Sequence, residues 1–124
     1  MNKITVCNVR ELIRTTEAGI LNQRRVLELV QELGEMAKTY PGNSILMDLR
    51  DTHLTAGSMS DIVEAVMKAQ SFQELHEVRI ANVVPNEASR LMIANRVEGL
   101  MQHEGFTFKC FTDSESARDW LDEA

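Results

Sequence analysis

At 124 residues, with 44% apolar and 26% charged positions, the chain has the make-up of one folded domain, not of a disordered or bilayer-embedded segment. A formal net charge of −6, with no Lys/Arg run longer than two, opposes the phosphate backbone and excludes nucleic acid as an expected partner. No apolar run approaches the roughly 20 residues that cross a bilayer, and Met1-Asn2-Lys3-Ile4 opens no signal-peptide pattern, so a cytoplasmic protein without integral membrane association is expected.

Alternation of Ile4 and Val6 with Thr5 and Cys7 predicts a strand over residues 3–9. Leu12 and Ile13 fit either a second short strand or a continuation past a bend, and Thr15-Thr16-Glu17-Ala18-Gly19 reads as a turn. A helix follows within residues 22–40, capped by Asn22. Val26, Leu29, Val30, Leu33 and Ala37 form its apolar face; Arg24, Arg25, Glu28, Gln31, Glu32 and Glu35 are expected in water. Pro41-Gly42-Asn43 stops it and releases Ser44 to Leu49, a buried strand closing in charge.

The next helix is expected to start at Ser58 or Ser60, with Ser58-x-x-Asp61 available as a capping box, and to end near Ser71-Phe72. Met59, Ile62, Val63, Val66 and Met67 form its predicted apolar face. Val78 to Val84 gives a third strong strand, ended by Pro85. Asn86 is the expected cap of a helix over 87–103 that is apolar around much of its circumference, which admits burial against a partner chain. Phe106 to Phe111 alternates as a strand. Thr112 with Glu115 predicts a capping box for a last helix anchored by Ala117, Trp120 and Leu121.

Strands alternating with helices imply a single mixed, mostly parallel β-sheet covered by α-helices, with the N-terminal strand at or near an edge. In such sheets the ligand crevice lies outside the carboxyl ends of the strands. The first place to look for function is therefore the crossover leaving the central strand, where Asp51, His53, Thr55, Gly57, Ser58 and Ser60 gather. Asn86 and Ser89 of the neighbouring crossover would lie alongside if the two strands are adjacent. The plainer account is two polar loops, with Ser58 or Ser60 only capping a helix.

No motif names a chemistry here. An Asp51–His53–Ser58 hydrolase would need a spatial convergence that spacing alone cannot supply, and there is no Gly-x-Ser-x-Gly elbow, phosphate loop, dinucleotide fingerprint or His-Glu-x-x-His motif. Catalytic residues, cofactors and metal ligands are each expected to be none. Cys7 and Cys110 sit far apart in apolar strand contexts without Cys-x-x-Cys partners and are expected as reduced core thiols. Asp48 has Arg50 and Arg79 as candidate counter-ions.

Taken together, Ile45-Leu46-Met47-Asp48-Leu49-Arg50-Asp51, the helix after it, the Val78-to-Val84 strand, and Phe111-Thr112-Asp113 with Ala117-x-x-Trp120-Leu121 resemble the SpoIIAA-like superfamily of STAS and related SEC14-type domains. The resemblance spans most of the chain and implies one SpoIIAA/STAS-like domain over residues 1–124. In the anti-sigma-factor antagonist branch an Asp-Ser-Ser-Gly-like stretch leads to a helix-initial serine that is reversibly phosphorylated and meets a partner kinase. Here Thr55-Ala56-Gly57-Ser58 occupies that region; Ser58 is the nearest match to the modified serine, with Thr55 the alternative if the loop is longer. The resemblance implies a non-enzymatic binding or regulatory domain acting through protein contacts, sometimes as a homodimer, or alternatively a carrier of a small apolar or lipid-like ligand.

Overall fold

The computed structural model describes residues 2–7, as backbone, and residues 12–123. Among the described residues ten elements follow one another: β1 (Asn2–Cys7), β2 (Leu12–Leu21), α1 (Gln23–Thr39), β3 (Ser44–Leu54), α2 (Met59–Gln70), a short 3-10 turn (Gln73–His76), β4 (Arg79–Val83), α3 (Ala88–His103), β5 (Thr107–Phe111) and α4 (Ser114–Asp122). The strands form one sheet in the order β1-β2-β3-β4-β5. Among the described residues only β1 runs antiparallel to its neighbour, and it lies at an edge as expected; the other three pairings are parallel.

Helices cover both faces. Leu29 and Leu33 of α1, Ile62 and Val66 of α2, and Met101 of α3 pack on Ile13, Ile45, Ile80 and Phe108 to make the larger core. On the opposite face Ala117 and Leu121 of α4 meet Leu46, Ala81 and Val83, with Phe111 and Trp120 at the margin. The strand period of two sends alternate residues of β3 and β4 into these two cores, which is why both strands read as near-continuous apolar runs.

Several boundaries differ from the sequence expectation. Residues 8–11, which include the end of the expected first strand, lie outside the described residues. Thr15-Thr16-Glu17-Ala18-Gly19 is not a turn but the middle of β2, held by pairing with both β1 and β3. Likewise β3 runs on to Leu54, because Ala18 to Leu21 of β2 give its last residues a partner. Asn22 caps α1 and Ser58 with Asp61 forms the capping box of α2, both as expected.

Asn86, by contrast, does not cap α3; the cap position is Glu87, which makes no side-chain capping bond. Asp113 rather than Thr112 caps α4, accepting from the Ser116 N–H. On α2 the buried stripe is Ile62, Val66 and Ala69, while Met59, Val63 and Met67 lie one step round the helix and are exposed. Arg25, expected in water, folds onto the buried Glu17. The Cys110 thiol is free and partly buried, and the Cys7 side chain lies outside the described residues.

Candidate functional site

A bulge in β3 sets the geometry of the crossover. Thr16 pairs with Asp48 but Ala18 pairs with Asp51, so β3 spends one residue more than β2 over this step. An extra residue re-aims everything after it. Leu49 at the bulge and Thr52 and Leu54 after it all face the three-helix side: Leu49 and Leu54 line its interior, and Thr52 bonds to α3. Asp51 and His53, alternating with them, point to the other face and are exposed.

Ser58 begins α2 on the three-helix side. Its hydroxyl accepts from the Asp61 N–H at 3.1 Å and lies 3.1 Å from the Ser60 hydroxyl, while Asp61 accepts from the Gly57 and Ser58 N–H groups. Those bonds hold the half-buried Asp61 carboxyl below its ordinary range, the Gly57 N–H contributing most. Among the described residues no hydrogen bond joins Asp51, His53 and Ser58, and the sheet lies between the first two and the third. The expected contact region is thus brought to one rim but split between its two faces.

The two crossovers do adjoin. β3 and β4 are neighbours, and Arg90 in the first turn of α3 reaches Thr52, donating to its carbonyl at 2.8 Å and its hydroxyl at 2.9 Å. Asn86 and Ser89 are exposed on this rim, as are Thr55, Ser58 and Ser60. Gly57, half-buried with φ +121°, passes so close to α3 that a Cβ there would stand 2.8 Å from Ile93 Cδ1. Only glycine combines that conformation with that approach.

Beneath the rim, between the sheet and α1, α2 and α3, is a cavity of about 170 Å³. Val30, Ala65, Ile93 and Val97 form part of its roof and Met47 and Ile80 part of its floor. It approaches the rim at Gln23, Ala56, Gly57 and Asp61, all half-buried. Gln23 bridges the starts of α1 and α2 there, donating to the Asp61 carbonyl at 3.0 Å and to Glu64 at 2.9 Å.

Two buried polar residues in the cavity wall were not among the sequence candidates. Arg90 is 8% exposed and Asn82, facing α3 from β4, is 7% exposed. A readable signal existed for Arg90: a cation in the first turn of a helix opposes the macrodipole. Asn82, inside an apolar strand, gave a weaker one. On the α4 face, Arg50 pairs with Asp48 at 2.7 Å, whereas Arg79, the other candidate counter-ion, bonds the Trp120 carbonyl. Among the described residues no group of three or more His, Cys, Asp and Glu could hold a metal ion, and no helix is long and apolar enough to cross a membrane.

This architecture is a SpoIIAA-like α/β fold. The chain is similar to an uncharacterized DUF3478-family protein with a SpoIIAA-like fold from Shewanella loihica PV-4, at 17% identity over 97% of this chain and 93% of that one, with a TM-score of 0.58. It is similar also to the anti-sigma factor antagonist SpoIIAA in its unphosphorylated form, at 14% identity over the whole of both chains, again with a TM-score of 0.58. No protein-family model matches the chain, and no curated protein sequence does.

Proposed function

We propose that the chain is a single non-enzymatic, cytoplasmic binding domain that takes one small apolar or lipid-like ligand between its sheet and α1, α2 and α3. The cavity carries this reading. Protein interiors hold few voids larger than a water molecule, and one of about 170 Å³ lined almost wholly by apolar side chains is of the size that binds a ring such as benzene. Left empty it would cost up to about 4 kcal/mol, a large share of the roughly 5–15 kcal/mol that stabilises a domain. A ligand that fills it recovers part of that loss, and the half-buried rim at Gln23 and Gly57 gives it a way in.

Calorimetric titration with octanol tests the reading. The native protein is expected to bind and Val97→Phe, which places a ring in the space, to lose at least tenfold in affinity. Absence of binding to the native protein, or equal binding by the filled variant, would contradict it.

A second reading is favoured by the exposed α2 side of the rim: a protein contact at Thr55, Ser58 and Ser60, with Asn86 and Ser89 beside them and without Asp51 and His53, which face the other way. The exposed Met59, Val63 and Met67 on α2 extend that surface with an apolar stripe open to a protein partner, a second copy of the chain included. Phosphorylation of Ser58 would put negative charge at the start of α2, where the helix favours it. If capture of partners by Ser58→Asp equals that by the native chain, a charge switch at this serine is ruled out.

A further inference from the structure

Resting on the ligand-binding reading above, we infer that the ligand is a compact amphiphile carrying a carboxylate, whose charge is met by Arg90 and whose apolar body fills the cavity. Arg90 is costly where it stands. Its residue is more than nine-tenths buried, it lies in an otherwise apolar wall, and it sits in the first turn of α3, where a positive charge opposes the helix dipole. Buried charges are ordinarily paired. Among the described residues no carboxylate forms an ion pair with this guanidinium within 4.0 Å; Glu87 acts on it only through its charge and is exposed at the rim.

Hydrogen bonding does not account for the residue either. Arg90 donates to the carbonyl and hydroxyl of Thr52, two bonds to neutral acceptors for a group with five N–H donors and a full charge. Burial pushes its pKa down from the ordinary value, with Glu87 only partly offsetting. An anion entering the cavity would restore what burial removed, and a hydrogen-bonded guanidinium–carboxylate pair in such surroundings is strong. A single guanidinium balances a single negative charge, which favours a carboxylate over a doubly charged phosphate.

Asn82 adds a second, independent mark on the same wall. Its amide nitrogen points to the Cys110 sulfur at 3.7 Å, and its Oδ1 is buried with no hydrogen-bond partner among the described residues. Buried amides are normally satisfied, so a ligand hydroxyl or N–H near the carboxylate would give this oxygen a partner once the Asn82 side chain turned toward the cavity. The one carboxylate among the described lining residues, Asp61, is already turned to the N–H groups of Gly57 and Ser58. Cavity size limits the body to one ring or a short chain.

The test compares octanoate with octanol, probes of equal chain length that differ in charge, on the native protein and on Arg90→Met. The native protein is expected to bind octanoate at least tenfold more tightly than octanol, and Arg90→Met to abolish that preference while still binding octanol. Because Arg90 also ties α3 to β3, the native protein's own preference is read first, and the variant is checked by circular dichroism. Equal or weaker binding of octanoate by the native protein overturns the carboxylate assignment and leaves the ligand cavity standing. Failure of both probes overturns the cavity reading as well.

Discussion

Glu17 Oε2 lies 2.6 Å from Arg25 Nε, a contact that ties the middle of β2 to the first turn of α1. Glu17 is only 4% exposed, whereas Arg25 is also held by Glu32 at 2.7 Å and approached by Glu28 at 3.5 Å. The two partners therefore depend on each other unequally. Arg25→Met leaves a buried carboxylate without its cation and is expected to cost about 3–5 kcal/mol. Glu17→Gln leaves Arg25 balanced by Glu32 and should cost nearer 1–2 kcal/mol. Urea unfolding of the two variants checks the order; a larger loss for Glu17→Gln would contradict it.

Gly34 of α1 lies against the ring of Phe72, and a Cβ added there would collide with that ring. In an open helix Gly→Ala gains about 1 kcal/mol. Here the sign should reverse, with Gly34→Ala losing about 1–3 kcal/mol through overpacking. The Gly34→Ala/Phe72→Leu double variant should recover part of that loss, and thermal melts of the three proteins would show whether it does.

The Asp48–Arg50 pair predicts an acid-side dependence. Hydrogen bonding from the Arg50 side chain, against an opposing effect of burial, holds the Asp48 carboxyl below its ordinary 3.8. A carboxyl whose folded value is depressed contributes stability above the unfolded value, and that contribution fades as pH falls through the lower folded value. Asp48→Asn should therefore flatten the acid limb of a plot of unfolding midpoint against pH. An unchanged limb would mean the pair is too well solvated to matter.

Burial, and then the Glu98 carboxylate, push the Cys110 thiol up to about 12 against a weaker opposing bond from Asn82. Only the thiolate attacks an alkylating reagent. In a Cys7→Ser background, alkylation near neutral pH should be roughly a thousandfold slower in the native state than in denaturant. Comparable rates in the two states would contradict the burial of this thiol.

What could be read from the sequence follows from the range of the forces involved. The Asn22 cap and the Ser58–Asp61 box are local, acting across three residues, and both were legible. The central strand and its apolar runs were legible for the same reason. β2 was not: Thr15 to Gly19 carries turn-like residues, and it is a strand because β1 and β3 flank it and because Arg25 neutralises Glu17 from the next element. The bulge in β3, which turns Asp51 and His53 away from Ser58, depends on register between strands and leaves no mark in a single chain's pattern. Nor does a cavity, which exists only when three helices meet over a sheet.

The most direct measurement of the central claim is the methyl spectrum of the isotope-labelled protein during titration with octanol. Shifts are expected at Ile93, Val97 and Val30, which line the cavity, and not at Leu46 or Val83, which are buried under α4 on the other face. Shifts spread evenly over both cores, or confined to the exposed Met59, Val63 and Met67, would place the apolar ligand elsewhere and contradict the account.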